Sequence, residues 1–162
     1  IARHVLKYHA PEYNEYSFIH DRGSDERQYC SPGIDLPLVT LSRSKFGTYP
    51  EYHTSLDNLE FVTPEGLSGG YNLVKECIVV MENNRIFKVT CYGEPQLGKR
   101  NLYPTLNNKV FEPHVYTLLD FIAYADGTND LLDISNLIKK PVTELLPIAT
   151  RLCDEGIIEE IS

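Results

Sequence analysis

Apolar residues along this chain change their spacing several times, and each change marks an element. Val5 and Leu6 stand among charged neighbours in residues 2–8, the end of a helix that Pro11 stops. Tyr13, Tyr16 and Phe18 then lead into a polar, charge-dense loop from His20 to Arg27, and Ser31-Pro32-Gly33 makes a turn. Leu36-Pro37-Leu38-Val39-Thr40-Leu41 is nearly continuous in apolar character and of strand length, which predicts a buried strand with Pro37 at its start. Thr63 and Pro64 suit a helix cap and first turn. The helix they open is predicted to run to about Met81, with Leu67, Leu73, Val74, Cys77, Ile78 and Met81 on one stripe. Gly66, Gly69 and Gly70 weaken a helix interior, so they predict close packing or a kink.

Alternation from Arg85 to Thr90 predicts a strand, and the Gly- and Pro-bearing segment from Cys91 to Pro104 predicts irregular structure. Asn107-Asn108-Lys109 is the expected boundary, giving one domain over residues 1–108 and a second over 109–162. The second shows a helix from Pro113 to Ala125, a turn at Asp126-Gly127-Thr128-Asn129, and helices at Leu131–Ile138 and Pro141–Glu155. After Gly156, Ile157–Ile161 predicts a strand. Three helices followed by a strand outline a winged helix-turn-helix.

Charge sharpens that outline. Residues 1–109 hold 12 Lys/Arg against 13 Asp/Glu, whereas residues 110–162 hold 3 against 10. An acidic C-terminal domain repels phosphate backbones. The third helix presents Thr143, Glu144, Arg151, Asp154 and Glu155, where a DNA reader would present Arg and Lys. A packing or homo-oligomer-forming module is therefore expected, with no nucleic-acid partner. No run approaches the length of a membrane span, and the N-terminus has no long apolar core of a secretion signal. Cys30, Cys77, Cys91 and Cys153 form no Cys-x-x-Cys motif, so reduced thiols and a cytoplasmic location are expected.

The densest candidate chemistry lies between Gly47 and Asn58, where Tyr49, Glu51, Tyr52, His53 and Asp57 crowd together. Imidazole is the commonest protein metal ligand, and a nearby carboxylate often fixes its tautomer. A lone histidine is nonetheless usually structural or on the surface. His4, His9, His20 and His114 have no partner at ligand spacing, and Cys30 reads as an inert thiol.

Two segments resemble a known family. Gly23-Ser24-Asp25-Glu26-Arg27-Gln28-Tyr29-Cys30-Ser31-Pro32-Gly33 resembles the Ser-Asp-His, aromatic, Gly segment of the di-zinc aminopeptidases, and Tyr52-His53-Thr54-Ser55-Leu56-Asp57 resembles their His-Thr-x-x-Asp segment. The likeness is closest to a bacterial subgroup with an aminopeptidase-like domain, associated with polysaccharide biosynthesis and ending in a winged helix-turn-helix. The resemblance implies an α/β fold, the C-terminal part of a zinc-aminopeptidase-like α/β/α domain followed by the small winged domain. It implies that His53 is a zinc ligand, that Asp57 orients it or caps a turn, and that Arg22, Asp25 and Tyr52 line a pocket for a small peptide-like substrate. The remaining ligands lie earlier in the family's chain, so the fragment alone is expected to be inactive. Glu26 departs from the family's His, Asn58 from a common Thr, and Pro37 stands two residues later than usual.

Three functions are consistent with this reading. One is a zinc-dependent metallohydrolase that cleaves an N-terminal peptide or related amide bond with metal-activated water. The alternative keeps the aminopeptidase fold without catalysis, in surface polysaccharide biosynthesis. The third, a winged-helix DNA-binding regulator, is disfavoured by the acidic charge.

Overall fold

The structure, a computed structural model, describes residues 1–100, 102 and 113–161, without the side chains of Pro113 and His114. The boundary expected at Asn107–Lys109 lies outside the described residues. The chain divides into two compact units, Ala2–Cys77 and Ile78–Ser162, the latter joined by Ile1.

The second unit is built on a three-stranded sheet. Strand β1 (Ile86–Val89) lies in the middle, with β2 (Asp126–Asp130) on one side and β3 (Ile158–Ile161) on the other, both antiparallel. Three helices complete it: α5 (Pro113–Tyr124), α6 (Leu131–Ile138) and α7 (Val142–Asp154). Their stripes close one core, in which Phe121, Leu131, Ile134, Leu145 and Leu152 are fully buried. Phe87 of β1 meets Phe121 of α5 with ring centroids 5.8 Å apart. Apolar side chains removed from water in this way are the main source of stability.

Local chemistry sets the helix ends. The Asp130 carboxylate accepts from the Asp133 N–H at 2.8 Å, and the two residues complete a capping box at the start of α6. Asn84 accepts from the Leu132 N–H and donates to Asp130, both at 2.8 Å, which fixes that same end from outside. Lys139 ends α6 in the left-handed conformation. The helices and the last strand lie where the apolar periodicity predicts them. The turn expected at Asp126–Asn129 is instead strand β2. Its turn chemistry is present, because Asp126 accepts from the Thr128 N–H at 2.8 Å, but pairing with β1 takes the backbone. Gly127 stands at a φ of +91° in that pairing, which admits the strand's irregular register.

The first unit is mostly turns. It contains α1 (Ala2–His9), the short helices α2 (Phe18–Asp21) and α3 (Glu26–Tyr29), and the greater part of α4 (Pro64–Asn83), which the division crosses after Cys77. The Thr63 hydroxyl accepts from the Gly66 N–H at 3.1 Å and caps α4. Of the helix glycines, Gly69 serves close packing. A Cβ at Gly69 would fall 2.6 Å from the Arg43 guanidinium, while one at Gly70 would meet nothing.

The buried strand expected at Leu36–Leu41 is not formed. Pro37 has no N–H, and among the described residues no strand lies beside this run. Leu36, Leu38 and Val39 are exposed, Val39 by 63%.

Candidate functional site

The two motif-bearing segments of the first unit are held by a small set of contacts that begins at Glu26. This residue is buried, although it opens the short helix α3 in a charge-dense loop. One carboxylate oxygen accepts from the Gly23 N–H at 2.7 Å and the Ser24 N–H at 3.0 Å, and the other accepts from the Thr40 hydroxyl at 2.9 Å. The Gly23 N–H, then that of Ser24, hold the Glu26 carboxyl down from 4.5 to about 2 against the opposing effect of burial. Glu26 therefore remains ionised across the physiological range and pins the loop to the segment following Leu38.

Two more links run in parallel. Asp21 pairs with Lys45, and the hydrogen bond from Lys45 pulls the Asp21 carboxyl below its ordinary value. Gly23 lies against Phe46 so closely that a Cβ there would be 2.6 Å from the ring. Phe46 also faces Tyr52, with centroids 6.3 Å apart. The chain of contacts Gly23–Phe46–Tyr52 thus joins the two motifs that are separate in sequence.

Tyr52 is the hub of an aromatic cluster. It meets Tyr49 edge to face at 5.7 Å, and Tyr49 stacks on Phe61 at 5.4 Å. His53 stacks on Tyr52 with centroids 3.9 Å apart and planes 17° from parallel. The His53 backbone stands at a φ of +57°, a left-handed conformation uncommon for a residue with a side chain. His53 is exposed, and its ring nitrogens make no hydrogen bond among the described residues.

The other predicted site residues are dispersed. Asp25 precedes α3 and is exposed, without a side-chain capping bond. The Arg22 guanidinium donates to the Ile19 carbonyl at 2.7 Å and lies over the Phe18 ring. No hydrogen bond joins Asp57 to His53 among the described residues. The local turn is instead bridged by Asn58, whose side-chain oxygen accepts from the Glu60 N–H at 2.8 Å. Cys30 donates to the Leu36 and Leu38 carbonyls at 3.5 and 3.6 Å, which fits an inert thiol, and all four cysteines are free.

Zinc asks for three or four ligands at close range. Among the described residues no three His, Cys, Asp or Glu side chains stand close enough to share a metal ion. His53 stands as a single imidazole, so the donor set among the described residues does not fit a zinc ion.

Glu26, Phe46 and Lys45 were not singled out as site residues by their spacing. Their partners lie 14, 23 and 24 residues away, Glu26 with Thr40, Phe46 with Gly23 and Lys45 with Asp21. The one local signal is the carboxylate two and three residues after Ser24 and Gly23, within reach of their N–H groups.

Comparisons with known proteins agree with the two-part organisation. Residues 1–84 match a family described as a domain of unknown function, DUF4910, and residues 85–160 match a winged helix-turn-helix. A Clostridium acetobutylicum protein named "Putative polysaccharide biosynthesis protein with aminopeptidase-like domain" is 39% identical over 137 residues, covering 83% of this chain and 31% of that protein. A solved structure described as a "putative peptidase" from Clostridium acetobutylicum superimposes with a TM-score of 0.81 at 32% identity, covering 99% of this chain and 35% of that one. This chain therefore spans about a third of the length of the relatives it matches. Among the described residues no helix is long and apolar enough to cross a membrane.

Proposed function

This chain belongs to the DUF4910 family, within the bacterial aminopeptidase-like, polysaccharide-biosynthesis-associated proteins that carry a C-terminal winged helix-turn-helix, and on that premise we propose that it serves surface polysaccharide production as a non-catalytic part of an aminopeptidase-like fold. One observation carries the reading. The relative of matching sequence is named for polysaccharide biosynthesis, while the donor residues described here assemble no metal site. Glu26, Phe46 and Tyr52 then act as structural ties that hold two loops in register. The unpaired cysteines suit a reducing cytoplasm.

A second reading is favoured by His53 itself. Its imidazole is exposed, clamped by Tyr52 and without a hydrogen-bond partner among the described residues. In an aminopeptidase-like zinc hydrolase whose other ligands come from beyond this chain, His53 supplies one ligand. In that reading Asp57 would orient His53, and Arg22, Asp25 and Tyr52 would line the pocket for a small peptide-like substrate.

Complementation separates the two. In a bacterium lacking the complete protein, His53→Ala is expected to restore surface polysaccharide as well as the unsubstituted protein does. Loss of polysaccharide with His53→Ala, together with loss of protein-bound zinc, would replace the first reading with the second.

The winged unit is proposed to pack against another protein surface, including a second copy, rather than against DNA. Lys140, two residues before α7, is engaged by Glu144 at 3.3 Å, and the exposed face of that helix carries Glu144 and Asp154 beside Arg151. A gel-shift titration at low salt is expected to stay flat, and salt-sensitive retardation would contradict this assignment.

A further inference from the structure

The winged unit holds a cavity of about 250 Å³ between α5 and the turn that joins α6 to α7, lined by Tyr116, Thr117, Asp120, Ile138 and Lys140. Tyr116 and Asp120 stand one helical turn apart on α5, so they share a face, and both are exposed, Tyr116 by 55%. Thr117 beside them is buried. The opposite wall is fixed by its backbone. Lys139 takes the left-handed conformation that ends α6, and the Lys140 N–H then donates to the Ser135 carbonyl at 3.1 Å. The fully buried Ser135 returns a bond from its hydroxyl to the Lys140 carbonyl. This wall is therefore set before any ligand arrives.

Charge decides what the cavity takes. Lys140 is already engaged by Glu144 at 3.3 Å. Lys139, the neighbouring cation, does not border the cavity. Asp120 makes no hydrogen bond or ion pair among the described residues. The charge left unneutralised in the cavity is thus one carboxylate, a helical turn away from an aromatic ring. That pair selects a cation, the carboxylate by its charge and the ring by its π face. Ile138 is the one aliphatic residue of the lining, so the cavity is no slot for a hydrocarbon chain. Its volume lies just below the range of about 300–1,000 Å³ that suits drug-sized ligands, which fits a ligand of a single ring.

We propose that this cavity binds an amine-bearing sugar, with the ammonium group on Asp120, the apolar face of the ring against Tyr116 and hydroxyl groups towards the Lys140 side. The choice of a sugar rests on the polysaccharide role proposed above, whereas the preference for a cation rests on the cavity alone.

The test follows the amide NMR signals of the full 162-residue chain during titration with glucosamine at mildly acidic pH, where the amine is protonated. Signals of Tyr116, Thr117, Asp120 and Ile138 are expected to shift together, with half-saturation at about 1–10 mM. N-acetylglucosamine and glucose, which lack the ammonium group, should bind about 10-fold more weakly or less well still, and Asp120→Asn should weaken glucosamine by about the same factor. Tyr116→Ala should also weaken it, while Glu159→Gln, outside the cavity, should not. Both cavity positions are exposed, so the spectra of the variants should otherwise match the unsubstituted chain. Absence of binding overturns the proposal, as do equal responses to glucose and glucosamine or an undiminished response of Asp120→Asn. Binding of an arginine- or lysine-bearing peptide at these residues without binding of glucosamine would overturn the sugar assignment and give the cavity to a basic protein partner. Binding is read on the chain alone, so its failure is distinct from failure of the polysaccharide role, which complementation decides.

Discussion

A zinc titration of this chain measures what His53 contributes by itself. Four-ligand structural zinc sites bind with apparent free energies of about 10–16 kcal/mol at neutral pH. In this chain one exposed imidazole stacks on Tyr52, and no three donor side chains among the described residues group together. An even division over four ligands gives one imidazole roughly 2.5–4 kcal/mol, which corresponds to a dissociation constant of about 1–15 mM. Stacking on Tyr52 engages the ring face and leaves the in-plane nitrogens open. Imidazole NMR signals of the labelled chain at neutral pH are the assay. The His53 ring is expected to respond to zinc with half-saturation in the millimolar range, and His53→Ala removes that response. His9 should respond less, because Glu76 already engages its Nε2. Binding of one zinc per chain with a dissociation constant below about 10 μM would refute this reasoning, since it requires a complete ligand set within these residues.

Acid should loosen the loop that Glu26 pins. A carboxyl lowered from 4.5 to about 2 in the folded state stabilises fully above about pH 4.5, and that stabilisation is lost as pH falls towards 2. Thermal melts across this window should show the fall, and Glu26→Gln should flatten its pH dependence; an unchanged slope would count against the pin. Gly70→Ala, where a Cβ meets nothing inside α4, should stabilise by about 0.4–1 kcal/mol in urea titrations, whereas Gly23→Ala should destabilise by about 1–3 kcal/mol because its Cβ would meet Phe46 at 2.6 Å. Equal effects of the two substitutions would contradict the packing described. Phe121→Ala removes a fully buried ring and should cost about 3–5 kcal/mol, read as faster amide exchange in β1; a loss below about 1 kcal/mol would place Phe121 outside the core.

The winged unit was legible because its elements are written locally. The stripes of α5, α6 and α7 repeat at helical spacing, Asp130 and Asp133 spell a cap, and Gly156 separates the last helix from β3. Strand β2 was not legible: Asp126-Gly127-Thr128-Asn129 has turn chemistry, and only its pairing with a strand some forty residues earlier makes it extended. The first unit shows the same limit more strongly. His53 and its motif stand out in sequence, but the stack on Tyr52 depends on a left-handed backbone that no residue type there announces. Glu26 reads as an ordinary loop carboxylate until Thr40 closes over it. Gly66 and Gly69 of α4 read as weakness until Arg43 lies across them.

The two units treat their apolar residues in opposite ways, and this bears on where function resides. In the winged unit Phe121, Leu131, Ile134, Leu145 and Leu152 meet one another, and the backbone of all three strands is paired. In the first unit most apolar residues of 34–62, Ile34, Leu38, Val39 and Leu59 among them, remain exposed although hydrogen bonds and aromatic stacks order the chain around them. Order without burial costs chain entropy and forgoes most of the hydrophobic return. Such a surface is sustained when another surface covers it. The same logic extends to His53, an ordered imidazole whose ring nitrogens have no hydrogen-bond partner among the described residues. Because Leu38 and Val39 are exposed, lysine at both positions is expected to change the stability of this chain by less than about 1 kcal/mol in urea titrations, and a larger loss would show that these side chains are packed within the chain itself.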